Sequence, residues 1–229
     1  LDLYRNIAVP PSNKCLQEAI KINPQLISIR NVMEEIPAIP GTPATQQGFN
    51  DLVLDNDRVI RRDLVHVKNQ SLEIRSLAIR LLEKAENKSN LDAHIESLPD
   101  SVWLSRNAGG YFNLPAEGYQ TMLPFHNREE VKTWQLSDVL DNKINKKDIK
   151  NNIVLIGSTA ESVKEIYTIP HSYFQNSEKY LQVPGVKIHA LRVLSLSNLL
   201  SEGQPSIHPM RENNETLFAL LLFGLGIAL

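Results

Sequence analysis

The sequence predicts a single domain of the α/β class: a mixed sheet with a buried central strand and helices packed against it. Three stretches carry that prediction. Ile153-Val154-Leu155-Ile156 is an unbroken apolar run that stops at Gly157-Ser158-Thr159-Ala160, the pattern of a strand covered on both faces and left through a glycine. Val183-Pro184-Gly185-Val186-Lys187-Ile188-His189-Ala190 leads into the leucine-rich segment Leu191 to Leu200. Proline and glycine supply a turn there, and the residues after it have helical character. Ser71 to Glu86 places Ile74, Leu77, Ala78, Leu81, Leu82 and Ala85 on one stripe, the i, i+3, i+4, i+7 spacing of a helix with one buried face.

The chain has 229 residues, enough for one large core or two small ones. Its formal net charge is -2, and no basic stripe interleaved with aromatics marks a nucleic-acid surface. The single cysteine, Cys15, excludes an internal disulfide and any cysteine-based zinc site. Such usage suits a bacterial cytoplasmic or periplasmic protein better than a eukaryotic secreted one.

In chain order, Ser12 can cap a helix running to about Ile22, with Leu16, Ala19 and Ile20 on one face. Pro24 ends it, and Leu26 to Ile29 reads as a strand. Pro37, Pro40 and Pro43 prevent regular structure between Ile36 and Thr45, which reads as a surface loop. Asp55-Asn56-Asp57 favours a turn, because short carboxylate and amide side chains bond their own backbone. With a strand over Val59 to Val67, it makes a hairpin whose second arm begins near Arg61-Arg62. That cluster is either a solvated turn with a cross-strand ion pair or a ligand-facing edge.

After the Ser71–Glu86 helix, Asn87 to Pro99 is polar and reads as a loop. Val102-Trp103-Leu104 and Gln120 to Leu123 read as short strands, separated by the Gly109-Gly110 turn, and Gln135 to Leu140 as a short helix. The lysines between Asn142 and Asn152 lie beside Asp141 and Asp148, which makes a solvated face rather than a positive patch.

Both ends look cut. The chain opens in what reads as the end of a strand, Leu1-Asp2-Leu3-Tyr4, and closes on the uncharged run Thr216 to Leu229. A membrane span needs about 20 apolar residues, and this run, preceded by polar Arg211 to Glu215, reads as the start of one. A buried helix is the alternative, and the position excludes a secretory signal peptide. The expected organisation is an N-terminally truncated domain over 1–205, a juxtamembrane linker over 206–215 and the start of a transmembrane helix over 216–229.

Chemistry is sparse. Gly157-Ser158-Thr159 follows a strand as a phosphate loop would, yet it lacks the spacing and lysine of that motif. It also lacks the second glycine of a nucleophile elbow. The six histidines, at 66, 94, 126, 171, 189 and 208, show no paired metal-ligand spacing. His189 sits in an apolar helix, where a satisfied core histidine and a ligand contact are the two readings. Glu161 and Glu165 are either a cation-binding pair or two solvated carboxylates. No cofactor or metal is expected.

The ordered motifs nevertheless resemble a known family. Lys150 to Ala160, then Pro184-Gly185-Val186-Lys187-Ile188-His189-Ala190 and a leucine-rich helix, are similar to the second type of CHASE domain (CHASE2), with a cyanobacterial flavour. Leu1-Asp2-Leu3-Tyr4-Arg5, Gly48-Phe49-Asn50-Asp51, Asp55 to Arg62, Gly118-Tyr119-Gln120 and Ser137-Asp138-Val139-Leu140 agree in the same order. The resemblance implies an extracytoplasmic sensory domain flanked by membrane helices, with a histidine kinase, serine/threonine kinase or nucleotide cyclase output elsewhere in the protein. The chain departs from the family pattern at polar positions. Arg58 and Lys187 replace glycine and glutamate, Glu165 replaces aspartate, Ile169 replaces threonine, and Pro124 stands in a usual strand. Arg58 either holds φ below zero or carries strain that glycine would not.

The function expected is therefore sensing, with no catalysis in this chain. Its partners would be an unidentified small molecule or environmental signal, the membrane through the C-terminal segment, and a second copy as a homodimer; nucleic acid is not among them. The site would lie on the outer face of the inner membrane. The candidate ligand-facing residues are Asp55, Asp57, Arg61, Arg62, Ser158, Thr159, Glu165 and His189, chosen for polarity beside strand ends. The rival is an α/β enzyme using the Gly157-Ser158-Thr159 loop for phosphate or acyl chemistry.

Overall fold

The computed structural model describes residues 1–4, 13–68, 73–88, 91–115, 118–125, 131–160, 165–170 and 181–228. In chain order these form α1 (Asn13–Ile22), β1 (Ser28–Arg30), β2 (Gln47–Phe49), β3 (Arg62–Lys68), β4 (Glu73–Arg75), α2 (Leu77–Ala85) and α3 (Leu91–Ser97). There follow β5 (Tyr119–Met122), α4 (Leu136–Leu140), α5 (Lys146–Ile149), β6 (Ile166–Ile169), β7 (Leu181–Pro184), α6 (Gly185–Glu202) and α7 (Glu212–Ala228). The class is mixed α/β in one domain, as the sequence predicts.

The buried central strand is β3. It lies between β4 and β5, antiparallel to both, and Leu64, Val65 and His66 on it are buried. Strands β1 and β2 pair in parallel, and β6 pairs antiparallel with β7. Single bridges join these small sheets: Phe49 to Ser76 and Val59 to Thr168, both parallel. Gly48 is required where β2 passes α2, because a Cβ there would stand 2.7 Å from the Leu77 Cα.

Helix α2 is stopped short at its start. The expected helix from Ser71 begins only at Leu77, where the Ser76 hydroxyl accepts from the Ile79 N–H at 3.3 Å. Ile74 belongs to β4, its buried side chain flanked by the less buried Glu73 and Arg75, as on a strand with one covered face. Ser71 and the proposed Ser12 cap lie outside the described residues. The expected loop Asn87–Pro99 contains α3, whose Leu91 and Ile95 are buried one turn apart. Val102 ends a 3₁₀ turn rather than starting a strand.

The apolar run Ile153–Ile156 forms no ladder, so it is not the central strand. Its link is a single parallel bridge between Asp2 and Gly157, with the Asp2 N–H donating to the Ile156 carbonyl at 2.8 Å. Ile153 and Leu155 pack inward, whereas Val154 and Ile156 are 47% and 48% exposed. An apolar run can satisfy burial on one side only, and hydrophobicity alone does not supply a hydrogen-bonding neighbour.

Helix α6 joins two of the apolar clusters of the core. Val193, Leu196 and Leu199 pack with Val65, Ala78, Ile79, Leu82, Leu91 and Ile95. Toward its start, Ile188 and Leu191 meet Ile60, Leu123, Ile169 and Val183. Gly203, left-handed at φ 71, closes it by donating to the Leu199 carbonyl. Helix α7 contributes nothing to these clusters; Leu217, Phe218, Leu220, Leu221, Leu222, Phe223 and Leu225 are all exposed. No helix among the described residues is long and apolar enough to cross a membrane.

Candidate functional site

Two polar assemblies stand out, one at the surface and one beneath α6. The first is the acidic hairpin. Leu54 and Ile60 bridge its arms, and the Arg58 N–H donates to the Asp55 carbonyl at 2.8 Å. Arg58 sits at φ 63. The turn thus keeps a glycine-like conformation and carries strain of about 1 kcal/mol.

Four of the eight candidate residues converge here and satisfy one another. Arg61 donates to Asp55 Oδ2 at 2.9 Å and forks onto both oxygens of Asp57 at 2.9 and 2.7 Å. Arg62, buried, donates from Nε to Asp55 Oδ1 at 2.8 Å and from Nη1 to Gln120 Oε1 at 2.8 Å. Tyr111 donates its hydroxyl to Asp55 Oδ2 at 2.8 Å, under the Arg62 guanidinium 5.6 Å from its ring centroid. The Arg61 hydrogen bond holds Asp57 at about 2, below the usual carboxylate range, and Asp57 in turn pushes Arg61 up. Burial, with the bond to Asp55, raises Tyr111 to about 12.

The second assembly is buried. Arg192 of α6 is the largest fully buried side chain. Its Nε donates to Asp63 Oδ1 at 2.5 Å, Nη2 to the Leu64 carbonyl at 2.7 Å and Nη1 to the Asp51 carbonyl at 3.2 Å. Phe49 lies under the guanidinium, 6.0 Å away. His189, one turn earlier, places Nδ1 3.3 Å from Arg192 Nη1. Burial, then the Arg192 charge, hold His189 well below its ordinary value, so it is neutral. Its Nε2 stands 3.6 Å from Asp2 Oδ1, too long for a hydrogen bond and, with a neutral ring, no ion pair. Asp2 instead accepts from Asn50 Nδ2 at 3.1 Å, and Tyr4 donates to Asn50 Oδ1 at 2.7 Å. Asp51 takes the N–H groups of Val32 and Met33. Burial pushes Asp2 and Asp63 up, with Arg192 opposing.

The other candidates lie apart. Ser158 accepts the Ala160 N–H at 3.3 Å, a local turn, and Thr159 is exposed. Glu165 is half-buried; burial and then nearby Asp2 raise it, and its carbonyl accepts from Gly185 N–H at 2.9 Å. Glu161 lies outside the described residues. Among the described residues no three His, Cys, Asp or Glu residues gather as metal ligands.

Sequence reasoning missed Arg192, Asp63, Asp51 and Asn50 as members of one site. A signal existed: an arginine inside a leucine-rich helix is either exposed or paired. Its partner, 129 residues away, had no local mark.

The family model for the CHASE2 domain matches residues 1–229, the whole chain. No curated protein and no solved structure matches it.

Proposed function

The chain belongs to the CHASE2 domain family, whose members are extracellular sensory domains, and from that premise we propose that it is the sensor of a membrane signalling receptor. It faces the periplasm or cell exterior and passes a conformational signal to a cytoplasmic kinase or cyclase output. One observation carries the signalling role of α6: Arg192 ties that helix to β3 and to the Asp51 segment through three buried hydrogen bonds. An element fixed by a discrete charge pair has distinct docked and undocked states, which a ligand can bias by binding them unequally. Helix α7, exposed and apolar on all sides after its first turn, supports a route from α6 toward a lipid surface and the division into a sensor over 1–205, a linker and a membrane-entering segment.

The ligand-facing edge proposed is the outer rim of the hairpin, Asp57 and Arg61, where the ion pair is partly exposed. The inner pair Asp55 and Arg62 is closed by its own partners. Ser158, Thr159 and Glu165 are the further ligand-facing residues of this reading, and a homodimer is its assembly.

Cys15 supplies the test. It is the chain's sole cysteine and is exposed. In cells making the full-length receptor, a membrane-impermeant maleimide should label wild type but not Cys15→Ser at this position before lysis. Labelling of Cys15 only after lysis would overturn the extracytoplasmic placement.

A further inference from the structure

The geometry points to His66 as a proton sensor: acidification charges this imidazole beneath α3 and releases α3 from the β4-β3-β5 sheet. His66 lies on the central strand, paired with Arg75 of β4 on one side and, across a bulge, with Tyr119 of β5 on the other. It is fully buried, and neither ring nitrogen has a hydrogen-bond partner among the described residues. Tyr119 stacks on it at 5.8 Å and 15°, and Trp103 meets Tyr119 edge-on at 4.9 Å. Those rings seal one side of the imidazole.

The charged groups around it come from the other elements. Glu73 and Arg75 of β4 and Asp92 and Glu96 of α3 act on its charge. Three carboxylates therefore outnumber one guanidinium, and that guanidinium is engaged with Asp92 at 2.5 Å and Glu83 at 2.7 Å. A neutral ring leaves its two nitrogens unsatisfied. An imidazolium has two N–H donors and a full charge, and it cannot stay dry. Its acceptors are the α3 carboxylates, which reach it only if α3 shifts or water enters.

Helix α3 is the element able to give way. It has seven residues and inserts only Leu91 and Ile95 into the core. Beside it runs a groove of about 720 Å³ lined by Glu86, Lys88, His94, Ser197 and Ser201. The same core cluster holds Val193, Leu196 and Leu199 of α6, so displacement of α3 alters the packing of the proposed signalling helix. Burial holds His66 below its ordinary value. The native state therefore binds fewer protons than the unfolded chain. The stabilisation is complete above the unfolded value near 6.5 and is lost as pH falls from there through the folded value. The biological use of the device rests on the sensory reading; the protonation itself does not.

The experiment uses the full 229-residue chain carrying Trp134→Phe, so that Trp103 is the sole tryptophan. Trp103 emission, the His66 ring carbon shift by NMR, and far-ultraviolet circular dichroism are followed from pH 7.5 downward. The expected result is a red shift of Trp103 that tracks His66 protonation while secondary structure is retained. The opening constant should rise by up to about tenfold per pH unit below about 6.5. His66→Phe should abolish the shift, whereas His189→Asn, which removes the other buried imidazole among the described residues, should keep it. A His66→Phe protein with the parent's pH profile would overturn the proposal. So would NMR showing that His66 of the parent stays neutral until global unfolding, a readout that serves even if His66→Phe does not fold. Failure here leaves Cys15 labelling untouched, and failure of that labelling leaves this titration standing.

Discussion

Replacing Asp63 with asparagine removes a charge while keeping the shape, and it isolates what the buried pair beneath α6 does. In Asp63→Asn, Arg192 keeps the Leu64 and Asp51 carbonyls at 2.7 and 3.2 Å but loses its counter-ion. Breaking a buried pair by removing one partner costs about 3–5 kcal/mol, because the surviving charge is left uncompensated in a low dielectric. With a urea dependence of about 2–3 kcal/mol per molar, the unfolding midpoint should fall by roughly 1–2.5 M. Arg192→Met leaves Asp63 buried instead, and a carboxyl can escape by taking a proton. Since burial raises Asp63 above its unfolded value, the native state of that variant binds the extra proton. Its stability is fully present below the unfolded value near 3.9 and is lost as pH rises through the folded one. The double variant Asp63→Leu/Arg192→Met should recover most of the loss, since apolar replacement of a buried pair is often neutral or better. The assay is a urea double-mutant cycle at pH 7 over Asp63→Leu, Arg192→Met and their double variant, with Asp63→Asn measured beside it and a pH series for Arg192→Met. A midpoint within ~0.3 M of wild type for Asp63→Asn, or simple additivity in the cycle, would refute the reasoning.

The hairpin should split into a structural and a dispensable half. Asp55→Asn strips a carboxylate from Arg61, Arg62 and Tyr111 together and should cost about 2–3 kcal/mol by urea denaturation, the range for hydrogen bonds to charged groups. Asp57→Asn should lower the midpoint only slightly, because that pair is solvent-screened. Asp57 is held at about 2 by Arg61, so its contribution is present above about 4 and disappears only as pH falls through about 2. Deleting residues 212–229 should leave core stability within about 0.5 kcal/mol, since no described side chain of α7 joins the core and Glu215 accepts from the Gly110 N–H at 2.8 Å in an exposed bond. The same deletion should abolish sedimentation with lipid vesicles; retained vesicle binding would show that another surface meets lipid.

Much of the hairpin was legible because its partners are close in sequence. Asp55, Asp57, Arg61 and Arg62 fall within eight consecutive positions, and turn chemistry acts between neighbours. The amphipathic stripe of α2 was legible for the same reason, although its start was not: one apolar residue, Ile74, fits both a helical and an alternating pattern. Arg58 shows a different limit. The sequence leaves open whether arginine changes the turn or bears its strain, and the fold, by bridging Leu54 to Ile60 and Val59 to Thr168, imposes the second.

By itself the sequence determined the α/β class, the Asp–Arg hairpin, the Pro184-Gly185 entry to α6 and the lone apolar character of the C-terminal helix. These follow from local propensity, turn chemistry and hydrophobic period, which act over a few residues. Only the tertiary structure decided that β3 rather than Ile153–Ile156 is the central strand. It alone set Arg192 against Asp63 and left His66 buried without a hydrogen-bond partner among the described residues. A buried charge or an orphaned imidazole is defined by what surrounds it, and those surroundings come from distant parts of the chain. Hydrophobic burial is non-directional. It says that a segment goes inside, but which backbone it pairs with and which charge it meets there are settled only when the whole core closes.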